Sequence, residues 1–504
     1  MSTARVSRCA LALGILALAA VALLTGANPS SAGGRQAGAT PARLNVVVIE
    51  TDDQTAASLR VMPNVQRLLG AEGATFETSF ATWPLCCPSR ATFLTGQYAH
   101  NHGVLGNSPP DGGYDRLDHS NTLAVWLQRA GYHTALVGKY LNGYATRGRA
   151  LEIPPGWSEW HATVRGGFLG QTLNENGRLV SFGETPADYS TDVLANRTVD
   201  VIRRRAPLAQ PFFVWYTPHA PHSGRPVDPD DPPQSTGAGL GAERRGVPST
   251  SPAPRHRDRF GSLALPLPPS FNETDVSDKP AFVRESELLT PETIAAIREA
   301  YQQRLESLLA VDDAVAAIVK ALQAAGELES TLLVFTSDNG FMHGEHRLPA
   351  RKNYVYEPSV RVPLVLRGPG IPRGVRLEQL VGNIDLAPTI LDAANATAGR
   401  RMDGRSLLPL AANPKLAWRS AILLERSGSS SRRRGEGRNP PFAAIRTPGY
   451  VYVEYESGER ELYDLNKDPH QLTSRHADPA FAKLRSELAR RLAALERCAG
   501  TACG

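Results

Sequence analysis

Four short, unbroken apolar runs set the frame of this chain. They occupy residues 44–50, 133–139, 211–216 and 331–336, and each stops where polar residues begin. A run without polar alternation predicts a strand buried on both faces, the pattern of a parallel sheet. Between them, helical segments are predicted over 121–130 and 291–322. The second opens with Thr290 as cap and Pro291 at its first position, and ends near Gly326. Strands alternating with helices predict a doubly wound α/β domain, a mixed, mainly parallel sheet flanked by helices. Ligands bind such sheets beyond the carboxyl ends of the strands, so the polar residues after each run are expected to converge.

From residue 421 the pattern changes. Strand candidates at 421–425, 442–447, 450–455 and 461–465 are joined by short turns such as Thr447-Pro448-Gly449. Close spacing predicts an antiparallel meander. A helix over 479–497 follows, with Leu484, Leu488, Leu492 and Leu495 on one stripe that reads as core packing. The expected organisation is a catalytic domain over 43–410 and a smaller α+β subdomain over 411–504. Two stretches resist assignment. The Pro/Gly/Ser-rich segment 223–269 reads as a substrate-contacting excursion or a disordered insert. The segment 427–441, with Arg432-Arg433-Arg434, reads as a solvated loop rather than a glycan-binding patch. No internal repeat is found.

Composition narrows the class. A chain of 504 residues with a formal net charge of +5 suits a large globular enzyme and an anionic substrate. No basic stripe interleaved with aromatics argues for nucleic acid. Arg5 and Arg8 precede an apolar run over 10–24 and small residues up to Ala32, which predicts a secretory signal peptide over 1–32, then a leader over 33–42. An uncleaved anchor is the alternative; with cleavage, the protein is expected to be secreted without stable membrane insertion. Of five cysteines, Cys9 leaves with the signal, and Cys498 and Cys503 read as a terminal disulfide, with two free thiols as the alternative.

The strand ends carry the chemistry. Asp52 and Asp53 follow the first run, and Ser337-Asp338-Asn339-Gly340 follows the fourth. Adjacent carboxylates repel each other, a cost that a divalent cation between them removes. Oxygen donors favour a hard ion, Ca2+ or Mg2+. A lone Asp-Asp pair is more often a turn; a second acidic tip after another strand favours the metal reading.

The segment from Cys86 to Gly96, CCPSRATFLTG, puts a thiol, a proline, a hydroxyl and a guanidinium within five residues, ahead of a Leu-Thr-Gly turn signal. An isolated Cys-Cys pair would read as buried, inert thiols or disulfide partners. This stretch resembles the signature of the formylglycine-dependent sulfatases, Cys-x-Pro-Ser-Arg-x-x-x-Leu-Thr-Gly, at every fixed position. The resemblance implies that a formylglycine-generating enzyme oxidises Cys86 to formylglycine (3-oxoalanine), whose hydrate is the nucleophile. It implies a Ca2+ ion, with Mg2+ as the alternative, held by Asp52, Asp53, Asp338, Asn339 and the modified residue 86. It gives Arg90 the gem-diol and the metal-bound carboxylates as partners, from the first turn of a helix expected to begin at Pro88. Lys139, His222 and Lys352 would bind sulfate oxygens, with His222 or Lys352 protonating the leaving alcohol. The family's Ala-Pro-His order selects His222 over His219.

The likeness extends to Gly138-Lys139-Tyr140-Leu141-Asn142-Gly143-Tyr144 and Asn383-Ile384-Asp385-Leu386-Ala387-Pro388, which are similar to the N-acetylglucosamine-6-sulfatase and heparan endosulfatase branch. Many sulfatases carry a histidine where Leu141 stands, assigned to regenerating the aldehyde. The base for that step is therefore open, with His102 and Asn142 as candidates. The implied activity is hydrolysis of a sulfated amino sugar. The alternatives are an arylsulfatase of small molecules, a phosphonate or phosphodiester hydrolase, and a catalytically silent glycan-binding protein.

Overall fold

The computed structural model describes residues 43–226, 228, 230–232, 235–236, 246–427 and 439–504. The expected signal peptide and leader, and the arginine run 432–434, lie outside the described residues. In chain order the main sheet takes β1 (Asn45–Thr51), β2 (Ala74–Phe76), β3 (His133–Gly138), β4 (Glu159–Arg165), β5 (Thr172–Glu175), β6 (Arg178–Ser181), β7 (Phe212–Thr217), β8 (Thr331–Ser337), β9 (Leu364–Arg367) and β10 (Val375–Leu377). In space they run β10-β2-β9-β8-β1-β7-β3-β4-β5-β6. The centre from β8 to β4 is parallel, and antiparallel pairing begins at β9 on one side and β5 on the other.

The apolar runs have no polar alternation because both sides of the sheet are cores. Val46, Val48, Phe213, Trp215, Leu332 and Val334 enter one core. Val47, Ile49, Val214, Tyr216, Leu333 and Phe335 enter the other, as the two-residue period of a strand requires. Helices α1 (Cys86–Thr95) and α2 (Leu123–Arg129) cover the first face, α3 (Ser190–Arg205) and α4 (Pro291–Ala324) the second, and α5 (Leu386–Ala394) returns to the first. Thr290 caps α4 by accepting the Thr293 N–H at 3.2 Å, with Pro291 in the first turn.

Helix α1 begins at Cys86, two residues ahead of the expected start. Pro88 still falls within the first turn, where its missing N–H is no loss. Gly96 ends the helix at φ 65°, the left-handed turn that the Leu-Thr-Gly signal anticipates. The described part of the 223–269 segment is built into the fold: Ser249 to Ser251 and Ala253 are buried, and Arg255 bonds Asp192 and Asp313. Among the described residues, no helix is long and apolar enough to cross a membrane.

The C-terminal sheet is a four-stranded antiparallel meander of β11 (Ile422–Arg426), β12 (Phe442–Arg446), β13 (Tyr450–Tyr455) and β14 (Arg460–Asp464). Helix α6 (Ala482–Leu495) buries Leu488 and Leu492 against it, while Leu484 and Leu495 are only partly buried. Cys498 and Cys503 are disulfide-bonded. The same core takes in Phe80, Tyr98, Val355 and Tyr356 from the larger part of the chain. His100 sits at this junction. Its Nδ1 lies 3.0 Å from Glu425 Oε2 and its Nε2 donates to the Cys498 carbonyl at 3.0 Å.

Burial alone would lower the His100 imidazole, but its hydrogen bond to Glu425 and that carboxylate's charge raise it to about 9 from an ordinary 6.5. A raised imidazole stabilises the folded state fully below pH 6.5, and that contribution is lost as pH climbs through 9. Urea denaturation at several pH values should therefore find the stability gap between wild type and His100→Gln widest below pH 6.5 and nearly closed above pH 9. A gap that does not vary with pH would remove His100 from this role.

Candidate active site

Strands β1 and β8 are paired in parallel with Thr51 opposite Ser337, so the two acidic tips leave the sheet side by side. The Asp53 N–H donates to Asp338 Oδ1 at 3.1 Å, and Asn339 Nδ2 donates to Asp53 Oδ1 at 2.7 Å. Asp52, Asp53, Asp338 and Asn339 are all buried. The start of α1 faces them: Cys86 Sγ lies 3.4 Å from Asp52 Oδ1 and 4.0 Å from Asp53 Oδ1. Farther along α1, Arg90 Nε pairs with Asp338 Oδ2 at 2.9 Å, and Nη1 donates to the Lys139 carbonyl at 2.9 Å.

Lys139 leaves β3 immediately after Gly138, whose backbone passes so close to β7 that a Cβ would lie 2.1 Å from the Thr217 carbonyl oxygen. The glycine lets the chain turn there. Lys139 Nζ is paired with Asp52 Oδ2. Lys352, on the loop after β8, bonds Asp53 Oδ1 and stands 2.8 Å from Cys86 Sγ. Beyond β7, His222 Nδ1 donates to the Ser223 carbonyl at 2.7 Å, leaving Nε2 facing Asp53 Oδ2 at 3.7 Å. Thus Cys86, Arg90, Lys139, His222 and Lys352 meet the acidic tips of Asp52, Asp53, Asp338 and Asn339 in one place.

Charge balance follows from these contacts. Burial would raise Asp52, but Lys139, then His222 and Lys352, hold it well below the usual carboxylate range. Asp53 is lowered in the same way by Lys352 and His222. Burial and the neighbouring Asp52 push Asp338 up to about 6, against the pull of Arg90. The Cys86 thiol is pushed upward by burial and by Asp52. A thiol held protonated is a poor nucleophile, so an unmodified Cys86 is unsuited to attack here.

The ligand atoms of Asp52, Asp53, Cys86 and His222 all lie within 4.8 Å of one another. Asn339 Oδ1 is buried without a hydrogen-bond partner among the described residues. An orphaned acceptor beside clustered carboxylates is a costly arrangement that a hard cation would satisfy. The donor chemistry therefore fits a divalent ion held by oxygens.

Three residues at the site were not singled out by the sequence reading. His219, which it set aside, has Nδ1 3.9 Å from Asp52 Oδ2. Glu50 is buried behind Arg90 and accepts from Trp215 Nε1 at 2.8 Å; it appeared only as the last residue of an apolar run. Arg304 donates to the Asp53 carbonyl. Its only sequence signal is a charge on the buried side of a long helix. His102 is engaged at both nitrogens, by Thr92 Oγ1 at 3.0 Å and the Val104 N–H at 3.1 Å, which leaves it no free position to act as a base.

Comparison with known proteins gives the family of the chain. The family model described as Sulfatase matches residues 45–396, and one described as N-sulphoglucosamine sulphohydrolase, C-terminal, matches 344–498. The chain is 33% identical to N-acetylglucosamine-6-sulfatase of Homo sapiens, over 92% of this chain and 86% of that protein. It is 35% identical to the putative extracellular sulfatase Sulf-1 homolog of Caenorhabditis elegans, over 76% of this chain and 52% of that one. The fold resembles a solved structure of BT4656 in complex with its substrate D-glucosamine-2-N,6-O-disulfate, with a TM-score of 0.73 and 23% identity over 90% of this chain and 97% of that one.

Breaking the Arg90–Asp338 pair leaves a buried carboxylate without its counter-charge. Arg90→Ala should cost about 3–5 kcal/mol in protein stripped of divalent ions, read from the urea midpoint. A loss below about 1 kcal/mol would show that the pair contributes no more than an exposed one.

Proposed function

The chain belongs to the sulfatase family and is a sulfuric ester hydrolase, and from that footing we propose that its substrate is a sulfated glycan of the N-acetylglucosamine-6-sulfate type. The names of the relatives support the sugar; Cys86 supports the chemistry. Its thiol is buried, held protonated, and wedged between two aspartates and a lysine. That is a poor setting for a cysteine and a good one for a hydrated aldehyde. In the proposed mature protein, formylglycine made from Cys86 would supply the nucleophilic hydroxyl, and Asp52, Asp53, Asp338, Asn339 and residue 86 would hold a Ca2+ ion that would supply Lewis-acid stabilisation.

The chain's own residues do the rest. A sulfate monoester carries one negative charge, and more builds on the ester oxygen as the bond breaks. Burial would lower Lys139 and Lys352, but their carboxylate partners raise both, so they remain cationic, which suits them to hold sulfate oxygens in a preorganised site. Arg90 keeps Asp338 in line with Asp53. His222 has its Nδ1 proton committed to the Ser223 carbonyl, so Nε2 must carry a second, imidazolium proton if this ring is to protonate the leaving alcohol; burial lowers the ring from its ordinary 6.5 and opposes that form, while Asp52 and Asp53 favour it. Lys352 is the alternative donor. The proposal includes export, with maturation by a formylglycine-generating enzyme. The extracellular relative and the N-terminal sequence pattern support it.

A screen of sulfated monosaccharides scored by free sulfate, with mass analysis of the Cys86 peptide, tests the reading. The expected result is formylglycine at position 86 and sulfate release from 6-sulfated N-acetylglucosamine; Cys86→Ala should abolish release without unfolding the protein. Lys352→Ala should lower kcat by about 100–1000-fold, the loss typical of one preorganised donor. Unconverted cysteine in a protein that releases no sulfate would support the silent glycan-binding alternative instead.

A further inference from the structure

Asp53 bears a side chain yet adopts φ 72°, in the left-handed region that sterics make costly for residues other than glycine, though less so for aspartate and asparagine than for most. Such a residue persists only where its surroundings fix it. Its N–H is fixed by Asp338 Oδ1. Its carbonyl is fixed from the far side of the sheet by Arg304, a residue of α4 that is 3% exposed.

Arg304 makes a second contact. Its guanidinium carbon lies 3.8 Å from the centroid of the Phe341 ring, and Phe341 follows Asn339 by two residues. One planar group therefore bonds the tip of β1 and stacks on the segment leaving β8. Nη1 has no hydrogen-bond partner among the described residues, and Nη2 is given to a backbone carbonyl rather than to a carboxylate. An arginine buried for helix packing or for an ion pair would not be arranged this way. Lysine could not reproduce it, because an ammonium has no plane to stack while donating sideways.

We propose that Arg304 is a positioning residue for the cation: it locks the left-handed turn at Asp53 and the Asn339–Phe341 segment to each other, so that the oxygen donors of both tips stand ready together. The proposal rests on the reading of Asp52, Asp53, Asp338 and Asn339 as the ligand set. Burial lowers Arg304 to about 10, with Asp53 and Asp52 pulling it back up, so it is cationic at neutral pH. A positive charge so near the site opposes a dication. Loss of the charge alone would strengthen binding, so the diagnostic variant keeps the charge: weaker binding then reports lost alignment.

The test is calorimetric titration of calcium chloride into the full-length mature protein after chelation of divalent ions. Arg304→Lys keeps the charge and loses the plane, and calcium affinity should fall about 10–100-fold, the cost typical of removing a partner behind a metal ligand. Saturating calcium should restore much of kcat in this variant, and circular dichroism before calcium is added should show it already folded, since calcium would also rescue a merely unstable fold. Gln302→Ala serves as the control: among the described residues this neighbouring α4 side chain bonds the Gly261 and Leu263 carbonyls, so it should lower the thermal midpoint without weakening calcium. If Arg304→Lys does not fold, Phe341→Leu removes the stacking platform and should weaken calcium in the same direction. Wild-type or tighter affinity in the folded variant overturns the proposal. If Asp53→Asn also leaves affinity unchanged, the ligand reading falls with it; if Asp53→Asn weakens binding, the clamp alone is rejected.

Discussion

The carboxylates of Asp52, Asp53 and Asp338 are buried within hydrogen-bonding distance of one another's backbone or partners, and the architecture answers that electrostatic demand. Like charges out of water are tolerated only when each has a counter-charge or a strong hydrogen bond. None of the counter-charges is local. Arg90 comes from α1, Lys139 from the end of β3, and Lys352 from the loop after β8. The site consequently exists only when the whole sheet has assembled. The parallel centre of the sheet brings these segments to one edge, because every strand in it ends on the same side.

The C-terminal meander is part of that assembly. The loop that carries Lys352 is braced from it at several points. Asn439 Nδ2 donates to the Asn353 carbonyl at 2.6 Å, Arg446 pairs with Glu357 at 2.7 Å, and the Tyr356 hydroxyl bonds Glu461 at 3.0 Å. His100 and the Cys498 carbonyl tie the segment after α1 to the same sheet. The smaller sheet thus fixes the far side of the site: it braces the loop that carries Lys352 and ties down the segment that follows the helix presenting Cys86.

Much of this was legible in the sequence. The unbroken apolar runs named the central strands, since a strand covered on both faces leaves no polar period. Thr290-Pro291 marked the start of α4, and the closely spaced runs after residue 421 marked the meander. The residues that carry a local motif, such as Cys86, Asp52 and Asp338, were also readable. Helix α1 starts at Cys86 rather than Pro88 because Leu85, extended, ends the preceding segment and a proline is accepted anywhere in a first turn. What stayed hidden were partners with no local signal. Glu50 looked like the end of a strand, and Arg304 like one more charge on a long helix. His219 lost to His222 on motif order, although the two rings pack together at 4.8 Å and face adjacent aspartates, His219 toward Asp52 and His222 toward Asp53. Contacts made across hundreds of residues leave no spacing to read.

The most direct test of the central claim is a crystal structure of the mature protein grown with calcium. The account predicts formylglycine at position 86 and one ion bonded at about 2.3–2.6 Å to oxygens of Asp52, Asp53, Asp338 and Asn339 and to residue 86. An intact cysteine, or calcium bound away from these two strand tips, would contradict it.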